Sequence, residues 1–177
     1  MSDTENNNRR PNVILTGFMA TGKSTVGRML AARLRYGFVD TDRVIEDRHG
    51  QIPIIFSEQG EAEFRRIERA LAIELAGFSS LVISTGGGLM LDQMSADALA
   101  SSGLVVCLTA SPKVILRRVG GQRAGDRRPL LAGADPEARI RELLAERADA
   151  YSKFVQVSTD GRPPSEVADE VARMVDG

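Results

Sequence analysis

Gly17-Phe18-Met19-Ala20-Thr21-Gly22-Lys23-Ser24 is the stretch on which the reading of this chain turns. Its spacing, G-x-x-x-x-G-K-[ST], belongs to a loop that wraps phosphate oxygens in backbone N–H groups. The pattern carries weight only between a strand and a helix, and both flanks comply. Val13-Ile14-Leu15-Thr16 is a short, β-branched run that stops at Gly17. From Lys23 to Leu34 the apolar residues Val26, Met29, Leu30 and Leu34 recur at helical spacing. The chemistry needs this arrangement. Loop N–H groups and the positive end of the helix meet the phosphates, Lys23 reaches the β- and γ-phosphates, and Ser24 offers a hydroxyl to Mg²⁺. Met19, Ala20, Thr21, Gly22, Lys23, Ser24 and Thr25 are therefore the expected contacts for ATP.

Moving outward, short apolar runs alternate with longer amphipathic segments. Phe38-Val39 reads as a second strand ending at Asp40, Leu81-Val82-Ile83-Ser84 as a third, Leu104 to Leu108 as a fourth and Phe154-Val155-Gln156-Val157 as a fifth. Between them, a helix starts at Arg43 behind Asp42, and Phe64, Ile67, Leu71 and Leu75 mark a long helix. Further helices follow Pro112, hold Ile140, Leu143 and Leu144, and run from Pro164 to Met174. Strand alternating with helix predicts an α/β sandwich, three layers deep, around a five-stranded parallel sheet. Four of the five strands are continuous apolar runs, as strands covered on both faces should be. Ligands of such sheets bind beyond the carboxyl ends of the strands, which selects the loops after Thr16, Val39, Ser84 and Leu108.

The 177 residues suffice for one domain, assigned to residues 12–177 behind a polar, disordered tail at residues 1–11. A formal net charge of −1 argues against a long nucleic-acid footprint. No apolar stretch approaches the ~20 residues that span a bilayer, and the start of the chain has no apolar h-region. A cytoplasmic location is expected. Cys107, the single cysteine, lies in an apolar run and reads as a buried, inert thiol. His49, the single histidine, precedes Gly50 at a helix end, where it suits the helix dipole.

Three further groups carry chemistry. Asp40-Thr41-Asp42 closes the second strand, and if that strand continues, both carboxylates point the same way. One suits a Mg²⁺ water shell and the other a substrate hydroxyl; alternatively, Asp42 only caps the next helix. Gly86-Gly87-Gly88 follows the third strand and lets backbone N–H groups approach a ligand closely. Arginines stand at Arg65-Arg66, Arg127-Arg128 and Arg147, and spacing alone does not choose among them. Arg128 has an independent case. It lies in the Gly- and Arg-rich segment 120–133, read as a mobile surface loop, and phosphoryl transfer needs a cation that closure can supply.

Together these residues resemble the shikimate kinase family. The carriers are Gly17-x-x-x-x-Gly22-Lys23-Ser24-Thr25-Val26-Gly27, Phe38-Val39-Asp40-Thr41-Asp42, Phe56-x-x-x-Gly60-Glu61-x-x-Phe64-Arg65, Thr85-Gly86-Gly87-Gly88, Arg128-Pro129-Leu130-Leu131 and Arg147-x-x-x-Tyr151. The resemblance implies strand order 2-3-1-4-5, a substrate-binding subdomain over about residues 41–70 and a lid over about 120–133. It implies transfer of phosphate from ATP to shikimate by a monomer. In that scheme Ser24 binds Mg²⁺, Asp40 supports it through water, and Asp42 holds the reacting hydroxyl. Arg65 and Arg147 take the substrate carboxylate; Gly86, Gly87, Gly88 and Phe64 line the ring. Arg128 is the lid cation, and Arg118 flanks the adenine together with Arg162-Pro163-Pro164. Two departures stand out: Gly50 to Phe56 is one residue shorter than the family segment and carries Pro53, and the lid holds Arg123 and Arg127 besides Arg128. The rival readings are a gluconate kinase-like enzyme of the same architecture, a nucleotide-dependent switch and a catalytically dead relative. The chain has no guanine-reading Asn/Thr-Lys-x-Asp motif, and Lys23, Ser24 and Asp42 are intact.

Overall fold

The apolar runs become strands and the periodic segments become helices. The computed structural model describes residues 10–120, 129–131 and 135–176. Its strands are β1 (Asn12–Thr16), β2 (Gly37–Asp40), β3 (Leu81–Ser84), β4 (Gly103–Thr109) and β5 (Val155–Ser158). They form one sheet in the order β2-β3-β1-β4-β5, with every neighbouring pair parallel. The helices are α1 (Lys23–Leu34), α2 (Thr41–His49), α3 (Ile52–Ala76), α4 (Gln93–Ser102), α5 (Pro112–Val119), α6 (Pro136–Ser152) and α7 (Pro164–Asp176). Both the sandwich and the strand order are those expected. No described helix is long and apolar enough to cross a membrane.

The central strand explains the layering. Every residue of β1 is buried, so successive side chains must feed two separate cores. Val13 and Leu15 pack with Val26, Leu30 and Leu34 of α1 and Val167 and Val171 of α7. Ile14 packs the other way, with Ile83, Ile67 and Leu71 of α3 and Leu99 of α4. A third cluster joins Phe18 to Ile115, Ile140, Leu143 and Leu131, so the phosphate loop rests on α5 and α6. Each such side chain, fully buried, contributes about 1.5–3 kcal/mol. The edge strands β2 and β5 are the least buried, which follows from the order of the sheet.

Four local readings change. The second strand stops at Asp40, whose carboxylate accepts from Arg43 N at 3.4 Å and caps α2. The cap is therefore Asp40, and Asp42 sits in the first helical turn; strand alternation does not align the two carboxylates. The long helix begins earlier, at Ile52, with Pro53 in its first turn, where a missing N–H costs nothing. It breaks at Gly60, whose φ of 85° no ordinary helix contains. Helix α4 was not foreseen. It buries only Ser95, Ala96 and Leu99, too few large apolar residues for a periodic signal, and depends on Asp92, which accepts from Ser95 N at 3.0 Å.

Residues 1–9 of the expected tail and residues 121–128 and 132–134 of the expected lid lie outside the described residues. Cys107 is buried as expected, and burial pushes its thiol up to about 11. His49 ends α2, which Gly50 closes by donating its N–H to Glu46 O at 3.0 Å.

Among the described glycines the tightest backbone approach is at Gly103, where an added Cβ would overlap the carbonyl of its register partner Asn12. Gly103→Ala should therefore separate β1 from β4. We expect a loss of about 2 kcal/mol or more, or roughly 4–8 °C in Tm, by thermal denaturation. An unchanged Tm would show that the strands move apart without cost.

Candidate active site

At the carboxyl end of β1 the chain enters the phosphate loop through residues few sequences tolerate. Gly17 and Gly22 have φ of 129° and 96°, and Ala20 has φ of 59°. Such left-handed turns gather successive N–H groups into a concave, anion-binding nest. The loop is braced from inside: buried Thr21 donates its hydroxyl to Phe18 O at 2.8 Å. Lys23 folds back over it, donating Nζ to Gly17 O and Phe18 O, both at 2.9 Å. The cation is thus held against the loop backbone.

Neighbouring strand ends deliver the oxygen groups. Ser24 donates its hydroxyl to Asp40 Oδ2 at 2.6 Å and lies 3.3 Å from Ser84 Oγ. Asp42 follows in the first turn of α2. Its carboxylate lies so close over Gly86 that a Cβ there would collide with it.

A cleft of about 490 Å³ opens beside the loop. It is lined by Lys23, Ser24, Asp40, Asp42, Phe64, Arg65, the three glycines and Arg147. Arg65 Nη1 passes 2.5 Å from where a Gly88 Cβ would stand. Arg147, from α6, donates Nη1 to Gly87 O at 3.2 Å and lies 5.1 Å over the Phe18 ring. The two guanidinium groups therefore flank one turn of backbone. Phe64 and Phe56, with ring centroids 4.6 Å apart, give the cleft an apolar wall, which Ile52 and Leu130 extend.

The triple glycine was expected to offer backbone N–H groups to a ligand, and at Gly86 that group is already engaged. The Gly86 N–H is given to Thr41 Oγ1 at 2.8 Å. At Gly86 and Gly88 the missing side chains make room for Asp42 and Arg65 themselves.

A second hollow of about 350 Å³ adjoins the loop, lined by Thr21, Gly22, Thr25, Arg118, Arg162 and Pro164. Gly22 and Thr25 border both spaces, so the two meet at the phosphate loop. Arg118 is fixed there by Ala20 O at 3.1 Å, Thr159 Oγ1 at 2.9 Å and Thr159 O at 3.0 Å.

The chain is similar to known proteins over most of its length. A family model described as "Shikimate kinase" matches residues 19–176. The chain belongs to the shikimate kinase family. A shikimate kinase of Thermus thermophilus is 49% identical over 161 residues, covering 90% of this chain and 86% of that protein. Among solved structures, the shikimate kinase of Acinetobacter baumannii in complex with shikimate superposes with a TM-score of 0.85 at 34% identity, covering 93% and 92% of the two chains. A gluconokinase from Sinorhizobium meliloti, at 21% identity and a TM-score of 0.62, shares the fold alone.

Within this shikimate kinase-family chain, the structure gathers Met19, Ala20, Gly22, Lys23, Ser24, Thr25, Asp40, Asp42, Phe64, Arg65, Gly86, Gly87, Gly88 and Arg147 around one cleft. Thr21 and Arg118 border the adjoining hollow instead. Arg128 lies outside the described residues.

Sequence reasoning passed over Glu68. It is 3% exposed and accepts from Arg65 Nη1 at 2.6 Å. Burial pushes its carboxyl above the usual range; Arg65 pulls it back only in part, and the Asp42 and Asp92 carboxylates add to the rise. The pair Arg65-x-x-Glu68 on one helical face was the available signal. Ser84 and the apolar wall of Ile52 and Phe56 were likewise invisible until the strands and α3 were placed.

A methyl group at Gly88 would occupy the space of Arg65. We expect Gly88→Ala to displace that guanidinium and weaken a carboxylate ligand of the cleft about tenfold by titration calorimetry, the loss of one charge-assisted hydrogen bond. Unchanged affinity would mean that Arg65 has another place to stand.

Proposed function

We propose that this chain transfers the γ-phosphoryl group of ATP to the 3-hydroxyl of shikimate, giving ADP and shikimate 3-phosphate, a step of aromatic amino-acid biosynthesis. The carrying observation is the cleft itself, which the phosphate loop, the Asp42 carboxylate and two guanidinium groups line together. Membership of the shikimate kinase family, whose members are ATP-dependent kinases, supports it.

The roles follow from the chemistry. The triphosphate lies in the nest of Met19 to Thr25 under Lys23, with the base in the hollow beside Arg118. Arg65 and Arg147 take the acceptor carboxylate, for which planar forks are suited. Gly86, Gly87, Gly88 and Phe64 bound its ring, which leaves the reacting hydroxyl toward Asp42. Asp42 accepts the hydroxyl proton as the oxygen bonds to the γ-phosphorus and the bond to the bridging oxygen of ADP breaks. Little covalent work falls to the protein; positioning and charge supply the acceleration.

The Ser24 hydroxyl and Asp40 carboxylate fit Mg²⁺. They are hard oxygen donors 2.6 Å apart beside the loop, and this ion uses one or two protein oxygens, keeps several waters and completes its shell with phosphate. Ser24 would hold the ion directly and Asp40 through water, and the ion would supply charge neutralisation at the transferring phosphoryl group. Arg128 is assigned the lid cation from the Arg128-Pro129-Leu130-Leu131 pattern, and Leu130, two residues on in the sequence, lines the cleft. We also assign residues 41–70 to acceptor binding and 120–133 to the lid. The working unit is a cytoplasmic monomer.

An acceptor panel tests the reading. In a coupled ADP-release assay with Mg²⁺, shikimate should be turned over, and gluconate and nucleoside monophosphates should not; Lys23→Ala should abolish the activity without altering the fold. Turnover of gluconate with none of shikimate would favour the gluconate kinase-like reading. Asp42→Asn should lower kcat by about a hundredfold or more and leave ATP affinity unchanged. An equal loss in ATP binding would remove Asp42 from the proton-accepting role.

A further inference from the structure

Three consecutive glycines form the costliest kind of segment to hold in one conformation, yet Asp42 and Arg65 both rest directly on this one. Two buried hydroxyls hold it. On one side Thr41, fully buried, accepts the Gly86 N–H at 2.8 Å. On the other, Tyr151, 6% exposed, donates its hydroxyl to Gly87 O at 2.9 Å, the carbonyl that also receives Arg147 Nη1 at 3.2 Å. The remaining carbonyls of the turn close locally, Gly86 O on Leu89 N at 3.2 Å and Gly88 O on Leu91 N at 3.1 Å.

We propose that Thr41 and Tyr151 are positioning residues with separate tasks, Thr41 setting the reacting-hydroxyl side of the cleft through Gly86 and Asp42, and Tyr151 setting the carboxylate side through Gly87 and Arg147. The division follows from adjacency. Thr41 precedes Asp42 in the chain, and its acceptor fixes the peptide on which the Asp42 carboxylate lies. Tyr151 stands one helical turn after Arg147 and shares its carbonyl, so the phenol sets where that carbonyl, and with it the guanidinium, rests. Without the Thr41 hydroxyl, the Gly86 N–H becomes a buried donor with no acceptor, and the turn must shift to satisfy it. The assignment of the two sides rests on the acceptor reading under Proposed function; the clamp itself does not.

The test uses Thr41→Val, Thr41→Ser and Tyr151→Phe in the full chain. Thr41→Val should lower kcat roughly ten- to a hundredfold, the cost of slight misplacement, with the KM values for ATP and shikimate little changed. Thr41→Ser, which keeps the acceptor, should restore kcat. Tyr151→Phe should raise the shikimate KM about tenfold, the loss of one buried hydrogen bond, with kcat and the ATP KM little changed. A merely structural role predicts instead lower Tm with no split between kcat and KM, and that result would overturn the proposal.

Hydrogen exchange read by NMR supplies a measurement that needs no acceptor. The Gly86 amide should be protected in the wild type and in Thr41→Ser and should exchange freely in Thr41→Val, or in Thr41→Ala if the valine variant does not fold. Equal protection in all would refute the clamp. Absence of shikimate turnover by the wild type would refute the acceptor reading alone.

Discussion

The register of three parallel strands is the constraint from which the rest of this site follows. Asp40 of β2 pairs with Ser84 of β3, and Ser84 pairs in turn with Leu15 of β1. Their carboxyl ends therefore stop level with one another, and the loop that leaves β1 brings Ser24 to within 2.6 Å of Asp40. A slip of one residue would turn every side chain to the opposite face. It would exchange the two cores that β1 separates, so hydrophobic burial and site geometry enforce the same register. Neither could be altered without the other.

The electrostatics of the cleft are arranged on this frame with little net charge. A chain of net charge −1 concentrates Lys23, Arg65 and Arg147 around one space and balances them with Asp40, Asp42 and the buried Glu68. Glu68 illustrates the compromise. Its burial raises the cost of ionisation, while its bond to Arg65 favours the charged form. The arginine is thereby aimed by a neighbour on its own helix. The Arg69–Asp92 pair, with bonds of 3.0 and 2.6 Å, ties the same helix to the start of α4. Thus α3 is fixed against the turn that carries the glycines.

Legibility in the sequence depended on how local each cause was. The phosphate loop, the five strands and the helix after Lys23 were readable because their signals are confined to a few adjacent residues. The triple glycine was readable as unusual, yet its reason was not: room for Asp42 and Arg65 is a relation between β3, α2 and α3. Asp42 was readable as chemistry-bearing for a reason that failed, since Asp40 ends the strand and caps the helix. Helix α4 was missed because a segment with one large buried residue, Leu99, has no period to detect. Arg118 came from the resemblance rather than from spacing, and the hollow it borders joins the ends of α1 and α7, over a hundred residues apart.

The sequence by itself determined a phosphate-loop pattern at a strand–helix turn of a parallel α/β sandwich, because a phosphate nest needs only a short consecutive stretch and the flanks that orient it. It also supplied the ordered motifs that mark the shikimate kinase family. The tertiary structure alone decided what lines the cleft beside that loop. Glu68 behind Arg65, Thr41 and Tyr151 on the glycine turn, and Phe18 beneath Arg147 meet only when α2, α3 and α6 converge on the ends of β1 and β3. Contacts formed by convergence depend on packing, and no stretch of chain carries them in its own composition.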